Sequence, residues 1–206
     1  MTVAIVNYGM GNVNSVEKAI SSLGYSSILT NDFEQLNEAD VILLPGVGSF
    51  EKGMNNLNEL GLVEVLTKLV VEKNKPFIGI CLGMQLLASF GTEPTRNKGL
   101  GWIEGEVLKI ETSNSFRVPH MGWNAVKSHQ NSELFVSADK GDFYFIHSYH
   151  FVPKNKNDIV LTVDYNETMV AAVQHKNIVA MQFHPEKSQK LGLALLNNIL
   201  SSFVKN

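Results

Sequence analysis

Two short apolar runs, Val41-Ile42-Leu43-Leu44 and Phe77-Ile78-Gly79-Ile80, constrain this chain more than any other feature, because neither interleaves polar residues. A strand with one face in water alternates apolar with polar residues; a strand covered on both faces has no reason to. Helical periodicity over residues 32–37 and 61–73 accompanies the two runs, and strands over 3–7 and 26–30 enclose a helix over 13–23. Parallel strands are joined by crossovers of this kind, so the first half reads as β-α-β units with helices on both faces of a sheet. Residues 41–44 and 77–80 are its central strands.

Beyond about residue 100 the pattern changes to short strands and turns, with candidates at 105–110, 142–148, 158–164, 170–175 and 178–183. His175-Lys176-Asn177 reads as a hairpin turn between the last two. A closing helix over 188–204 repeats Leu191, Leu195, Ile199 and Phe203 along one face. The expected fold class is α/β, a three-layer, doubly wound mixed sheet with an antiparallel extension in the second half. No repeat, low-complexity tract or flexible linker divides the chain, and 206 residues of 44% hydrophobic composition can bury a full core. Residues 1–206 are therefore expected to form a single domain.

Composition removes several classes of function. A net charge of −3, with Lys scattered among Asp and Glu, gives no basic stripe of the kind that phosphate backbones require, so no nucleic-acid partner is expected. No apolar run reaches membrane-spanning length, and the stretch after Met1 is apolar only from Val3 to Val6 with no basic flank, unlike a signal peptide. One cysteine excludes an internal disulfide and a cysteine-based zinc site and suits a reducing compartment. A cytoplasmic protein without a metal or a membrane partner is the expectation.

The lone cysteine is Cys81, in Gly79-Ile80-Cys81-Leu82-Gly83. It follows a buried strand and precedes a helical run over 84–90, the context of a nucleophile elbow with Cys in place of Ser. Such a turn forces the nucleophile into a strained backbone conformation, and small neighbours let strand and helix pack together. At the start of a helix, the dipole and free N–H groups favour thiolate over thiol, whose ordinary pKa is about 8.5. Inert burial is the commoner fate of a free cysteine. Here the strand, the glycines and the helix argue for a nucleophile instead.

A thiolate of this kind works with a histidine base and a group that orients the base. Of six histidines, His184 stands out in Val179-Ala180-Met181-Gln182-Phe183-His184-Pro185-Glu186, because it ends an apolar strand and a carboxylate follows two residues later. On an extended backbone, which Pro185 would help to keep, His184 and Glu186 fall on one side. Glu186 then holds one ring nitrogen and the other faces Cys81. An oxyanion needs N–H donors, expected at Leu82 and at Val47 in the loop Pro45-Gly46-Val47-Gly48-Ser49-Phe50. The paired glycines there also allow a peptide plane to turn over. Tyr8-Gly9-Met10-Gly11-Asn12 suggests a dinucleotide fingerprint but carries Asn14 where the third glycine belongs, so no cofactor is expected.

In this order and spacing, PGVGSF, GICLGMQLL and QFHPE resemble the class I, triad-type glutamine amidotransferases over essentially the whole chain. The resemblance implies that family's flavodoxin-like fold. It also implies that Cys81 attacks the glutamine carboxamide, His184 protonates departing ammonia, and water releases glutamate from a γ-glutamyl thioester. Gly48, Gln85, Glu93, Ser148 and Tyr149 match positions that hold glutamine in the family, although Glu93 lies in the polar stretch 92–98, which reads as a surface loop.

VNYGMGN, PHMGWN and FHPEKS further resemble the branch of the family that serves imidazole glycerol phosphate synthase in histidine biosynthesis. That likeness implies a heterodimer with a cyclase subunit, a (β/α)8 barrel that receives the ammonia, met through Asn12, Trp123, Tyr144 and Lys187. The same triad serves other synthases, including those of anthranilate and pyridoxal phosphate. Outside the family, the alternative is a noncatalytic redox-sensing α/β protein.

Overall fold

The computed structural model of the chain describes residues 1–112, 117–139 and 141–204. Its first half runs β1 (Thr2–Val6), α1 (Val13–Ser22), β2 (Ser26–Thr30), α2 (Phe33–Glu38), β3 (Val41–Gly46), α3 (Phe50–Glu59), α4 (Leu62–Thr67), a π-helical turn (Lys68–Glu72), β4 (Phe77–Cys81) and α5 (Leu82–Gln85). The short strands β5 (Phe90–Gly91) and β6 (Asn97–Lys98) follow. Then come β7 (Gly105–Lys109), β8 (His120–Ser128), β9 (Asp142–His147), β10 (Tyr149–Pro153), β11 (Ile159–Tyr165), β12 (Glu167–His175), β13 (Ile178–Met181) and α6 (Gln189–Val204).

Nine strands form one mixed sheet in the order β2-β1-β3-β4-β13-β12-β11-β8-β9, and β10-β7-β5-β6 form a smaller one. Pairing is parallel from β2 through β4 to β13 and antiparallel from β13 outward to β9. The expected doubly wound α/β sheet with an antiparallel extension is what forms.

The two apolar runs explain themselves in this setting. Val41 and Leu43 face one buried cluster with Ile78 and Ile80, while Ile42 and Leu44 face another with Phe77. The first cluster is closed by Val16, Ala19 and Ile20 of α1 and by Leu195, Leu196, Ile199 and Leu200 of α6. Met54 and Leu57 of α3 and Leu62 and Leu66 of α4 close the second. Each fully buried aliphatic side chain contributes about 1.5–3 kcal/mol, so one polar residue in these runs would cost a layer contact and a hydration shell together.

Strands β8 and β10 are not among the elements expected from the sequence, and three helices depart from expectation. Helix α3 has sufficient local signals, with Ser49 Oγ accepting from Lys52 N at its start and Phe50, Met54 and Leu57 at helical spacing, yet the glycine-rich stretch before it reads as loop. The helix expected over 84–90 is only the single turn Leu82–Gln85, because Phe90 and Gly91 leave to pair with β6 and β7. The helix expected over 61–73 begins on left-handed Gly61 and loosens into a π-helical turn after Thr67. The hairpin at 176–177 forms with His175 opposite Ile178.

Helix α5 reaches β3 through Gly83, where a Cβ would stand 1.9 Å from the Leu44 carbonyl oxygen. Backbone cannot yield as a flexible side chain does. Gly83→Ala is expected to lose about 2–3 kcal/mol of unfolding free energy, read as a lower urea midpoint with an unchanged slope.

Candidate active site

Parallel pairing of β3 with β4 sets Gly46 opposite Cys81, so both strands end at one level. Cys81 closes β4 at φ 54°, ψ −109°, a conformation that a non-glycine residue holds only when its surroundings enforce it. Gly79 and Gly83 supply that enforcement: a Cβ on Gly79 would lie 2.9 Å from Gly83 O and 3.0 Å from Ala180 Cβ. The strained elbow is present, with Cys81 only 6% exposed at the floor of a cleft.

His184 and Glu186 meet as expected, with Nδ1 to Oε1 at 2.8 Å and both side chains buried. The backbone between them is not extended, however. Pro185–Lys187 is a 3-10 turn, because Ser188 Oγ donates to His184 O at 2.6 Å and accepts from Tyr144 N at 3.0 Å, tying the turn to β9. His184 N also donates to Tyr144 O at 2.9 Å. Proline at the first position suits such a turn as well as it suits a strand.

The other ring nitrogen, His184 Nε2, is buried without a hydrogen-bond partner, as is Glu186 Oε2. Burial pushes the imidazolium towards neutrality, but the facing Cys81 sulfur and the Glu186 carboxylate outweigh burial and hold the ring at about 9. A protonated ring therefore stands beside the sulfur at neutral pH.

The cleft over Cys81 holds about 460 Å³. Val47, Gly48, Leu82, Gln85, Glu93, Ser148, Tyr149 and Lys187, all singled out in the sequence, line it. Glu93 is half-buried and accepts from Phe50 N at 3.0 Å; burial raises its carboxyl above the ordinary range, against the pull of that N–H. The surface loop expected over 92–98 thus folds over the cleft and contributes β6. Gln85 Nε2 donates to Tyr149 O at 2.7 Å and to Gln182 Oε1 at 2.9 Å, which leaves its amide oxygen for a ligand. Gly48, at φ 118°, sits where a Cβ would come 2.7 Å from Met10 Cε. The glycine-rich loop after β1 therefore braces the loop after β3.

Three of the four expected interface positions form one surface. Trp123 is 47% exposed and meets Tyr144 edge-on at 6.1 Å, and Lys187 Nζ lies 5.7 Å over the Tyr144 ring. Met121, 63% exposed, extends the patch along β8. Asn12 is exposed in the loop after β1, where Gly11 packs on the Pro45–Gly46 backbone. His147 and Ile146, also lining the cleft, and Gln182 beneath it escaped sequence reasoning. Gln182 lies in the quoted QFHPE stretch, but nothing in its spacing shows which way the amide points.

Residues 4–202 match the family model for glutamine amidotransferase class-I. The chain belongs to that family. Among curated relatives of this amidotransferase, imidazole glycerol phosphate synthase subunit HisH 2 of Methanococcus maripaludis is 45% identical over 199 residues, covering 96% of this chain and 98% of the relative. Imidazole glycerol phosphate synthase subunit HisH of Aquifex aeolicus is 44% identical over 200 residues, covering 96% and 95%. A solved glutamine amidotransferase from Thermotoga maritima superposes with a TM-score of 0.69 at 18% identity, covering 100% of this chain and 99% of that one, and so shares the fold. Among the described residues of the amidotransferase, no helix is long and apolar enough to cross a membrane.

The raised His184 value fixes the sign of a pH effect. Its folded value of about 9 exceeds the ordinary 6.5, so its contribution to stability is complete below about 6.5 and is lost as pH rises through about 9. An NMR titration of the ring is expected to show imidazolium at pH 7.5 in the native chain and a lower midpoint in Glu186→Gln.

Proposed function

We propose that this chain hydrolyses glutamine to glutamate and ammonia and passes the ammonia to a cyclase subunit that makes imidazole glycerol phosphate and AICAR in histidine biosynthesis. The observation that carries the reading is the strained Cys81 turn, with its thiol at the floor of the cleft and the buried His184–Glu186 pair beside it. Curated relatives named as subunits of imidazole glycerol phosphate synthase, matched over nearly their whole length, support the assignment to a synthase with a partner subunit. Residues 1–206 then act as one amidotransferase domain, in the cytoplasm, where a free catalytic thiol stays reduced.

The chemistry follows from the atoms present. Cys81 Sγ attacks the carboxamide carbon of glutamine, and the carbonyl electron pair moves onto oxygen, which the N–H groups of Leu82 and Val47 receive. The oxyanion collapses, the C–N bond breaks, and the proton on His184 Nε2 leaves with the nitrogen as ammonia. The neutral ring then takes a proton from water, whose oxygen adds to the γ-glutamyl thioester; sulfur departs and glutamate is released. Glu186 holds Nδ1–H throughout and keeps the ring in the tautomer and orientation that both steps need. Gly48, Gln85, Glu93, Ser148 and Tyr149 hold the amino-acid end, with Glu93 and the Gln85 oxygen as acceptors for the ammonium group.

Asn12, Trp123, Tyr144 and Lys187 meet the cyclase, a (β/α)8 barrel, in a heterodimer. Exposed Trp123 and Met121 beside half-buried Tyr144 are residue types that interface centres favour, with Lys187 at their edge. Lys187 lines the cleft and sets its Nζ over the Tyr144 ring, so in this reading it stands between partner and substrate.

Two outcomes test the reading by glutamate release. The chain alone is expected to turn over slowly and to be strongly stimulated by the cyclase subunit carrying its nucleotide substrate; a full rate without the partner, or no stimulation by it, would refute the coupling. Cys81→Ser is expected to abolish release, while Glu186→Gln slows it by about 10²-fold, since Glu186 orients the base and does not itself react.

A further inference from the structure

Gln182 lies between the end of β13 and His184, is fully buried, and sets its Nε2 3.6 Å from Cys81 Sγ. A carboxamide can be turned either way, and its two ends are nearly alike in size. What decides the direction here is a backbone carbonyl two hydrogen bonds away. Tyr149 O can only accept, and it takes Gln85 Nε2 at 2.7 Å and His147 Nδ1 at 2.9 Å. Gln85 must therefore present its NH2 group, whose second hydrogen reaches the Gln182 amide at 2.9 Å. An NH2 group only donates, so the Gln182 atom it meets is oxygen and the Gln182 NH2 group is left facing the sulfur.

The far end of the chain of bonds is fixed as well. With Nδ1–H given to Tyr149 O, His147 accepts through Nε2 from His120 Nδ1 at 2.9 Å. Burial holds both rings neutral, His147 at about 3 and His120 at about 4, so neither leaves this arrangement near neutral pH. His120 is clamped between the rings of Phe145 and Tyr165, at 4.7 and 4.1 Å. A line of buried polar groups thus runs from strand β8, beside the exposed Met121 and Trp123, to the sulfur.

We propose that Gln182 is a catalytic residue whose N–H group donates a hydrogen bond to the reacting sulfur and stabilises its charged form, with Gln85, the Tyr149 carbonyl and His147 as positioning residues that fix the direction of the amide. The uncharged thiol has a different partner, the Ile146 carbonyl at 3.9 Å, which accepts from S–H. Gln182 and Ile146 O therefore select between the two forms of the nucleophile. Other titratable groups around the sulfur are His184 with Glu186 behind it, the buried Tyr8 phenol from the loop after β1, His147, and Glu93 and Lys187 on the cleft wall. Among these Gln182 is a donor that carries no charge and does not titrate, so its effect persists on both sides of the His184 transition.

The proposal deepens the glutaminase reading, and its first test does not depend on it. Cys81 is the single cysteine of the chain, so alkylation by iodoacetamide reports on that sulfur alone. In Gln182→Met, of similar size but with no donor, the pH midpoint of alkylation is expected to rise by about one to two units, and alkylation at pH 7 to slow by about ten- to a hundredfold. Gln85→Leu, which frees the amide to turn, should move the midpoint the same way by a smaller amount. Gln182→Leu serves if the Met variant does not fold, as judged by circular dichroism. An unchanged midpoint in a folded Gln182 variant overturns the proposal. With the liganded cyclase present, Gln182→Met should lower kcat for glutamine by about tenfold or more with KM little changed. A fall confined to KM would overturn the catalytic role, whereas absence of turnover in the native chain would count against the glutaminase reading alone.

Discussion

The close approach of the Gly83 and Leu44 backbones governs the rest of this site. Because no side chain stands between them, the first turn of α5 lies directly on β3, and Cys81 must leave β4 at a positive φ to join the two. From that one contact follow the position of the thiol at the cleft floor and the Leu82 N–H at the start of the helix. Pairing of Gly46 opposite Cys81 brings the second glycine-rich loop to the same level. The elbow is strained, and strain of this size persists only where packing on both sides over-determines it. The two apolar layers on the faces of β3 and β4 provide that packing.

The polar groups near Cys81 form a second system, arranged by different physics. Most buried polar atoms in a protein find a partner. Among the described residues four side-chain atoms do not; three of them, Tyr8 OH, His184 Nε2 and Glu186 Oε2, belong to the neighbourhood of the sulfur, and the fourth is His150 Nδ1. By contrast, Gln182, Gln85, the Tyr149 carbonyl, His147 and His120 are joined in that order, and the carbonyl, which can only accept, fixes the donor and acceptor ends of the groups on either side of it. The unsatisfied atoms of His184 and Glu186 lie on the pair that faces the sulfur, whereas the amides of Gln85 and Gln182 are satisfied and held in one direction. A buried charge is tolerated at His184 because the sulfur and Glu186 flank it; isolated, it would titrate to neutrality.

Much of this was legible before folding. Non-alternating runs at 41–44 and 77–80 announced a sheet covered on both faces, and glycines on either side of Cys81 announced the elbow, since both are local steric statements. His184 and Glu186 were legible as a pair from spacing alone, although the backbone between them turns where an extended segment was expected. Helix α3 and strands β8 and β10 were missed, and so was the commitment of Phe90 and Gly91 to a second sheet. The strands among them are defined by partners elsewhere in the chain, β8 by β9 and β11 and β5 by β7, whereas α3 carries local signals that the glycine-rich stretch before it masked.

By itself, then, the sequence determined the α/β class, the central strands, the position of the strained elbow at Cys81 and the types of residue around it, because these depend on periodicity and on the size of adjacent side chains. Tertiary structure decided which carbonyl stands beside which amide. The direction of the Gln182 amide depends on Tyr149 O, 33 residues away in the chain and reached through Gln85, 97 residues from Gln182. No local propensity encodes such a bond, because an amide has no preferred direction until a group that can only accept, or only donate, is placed against it.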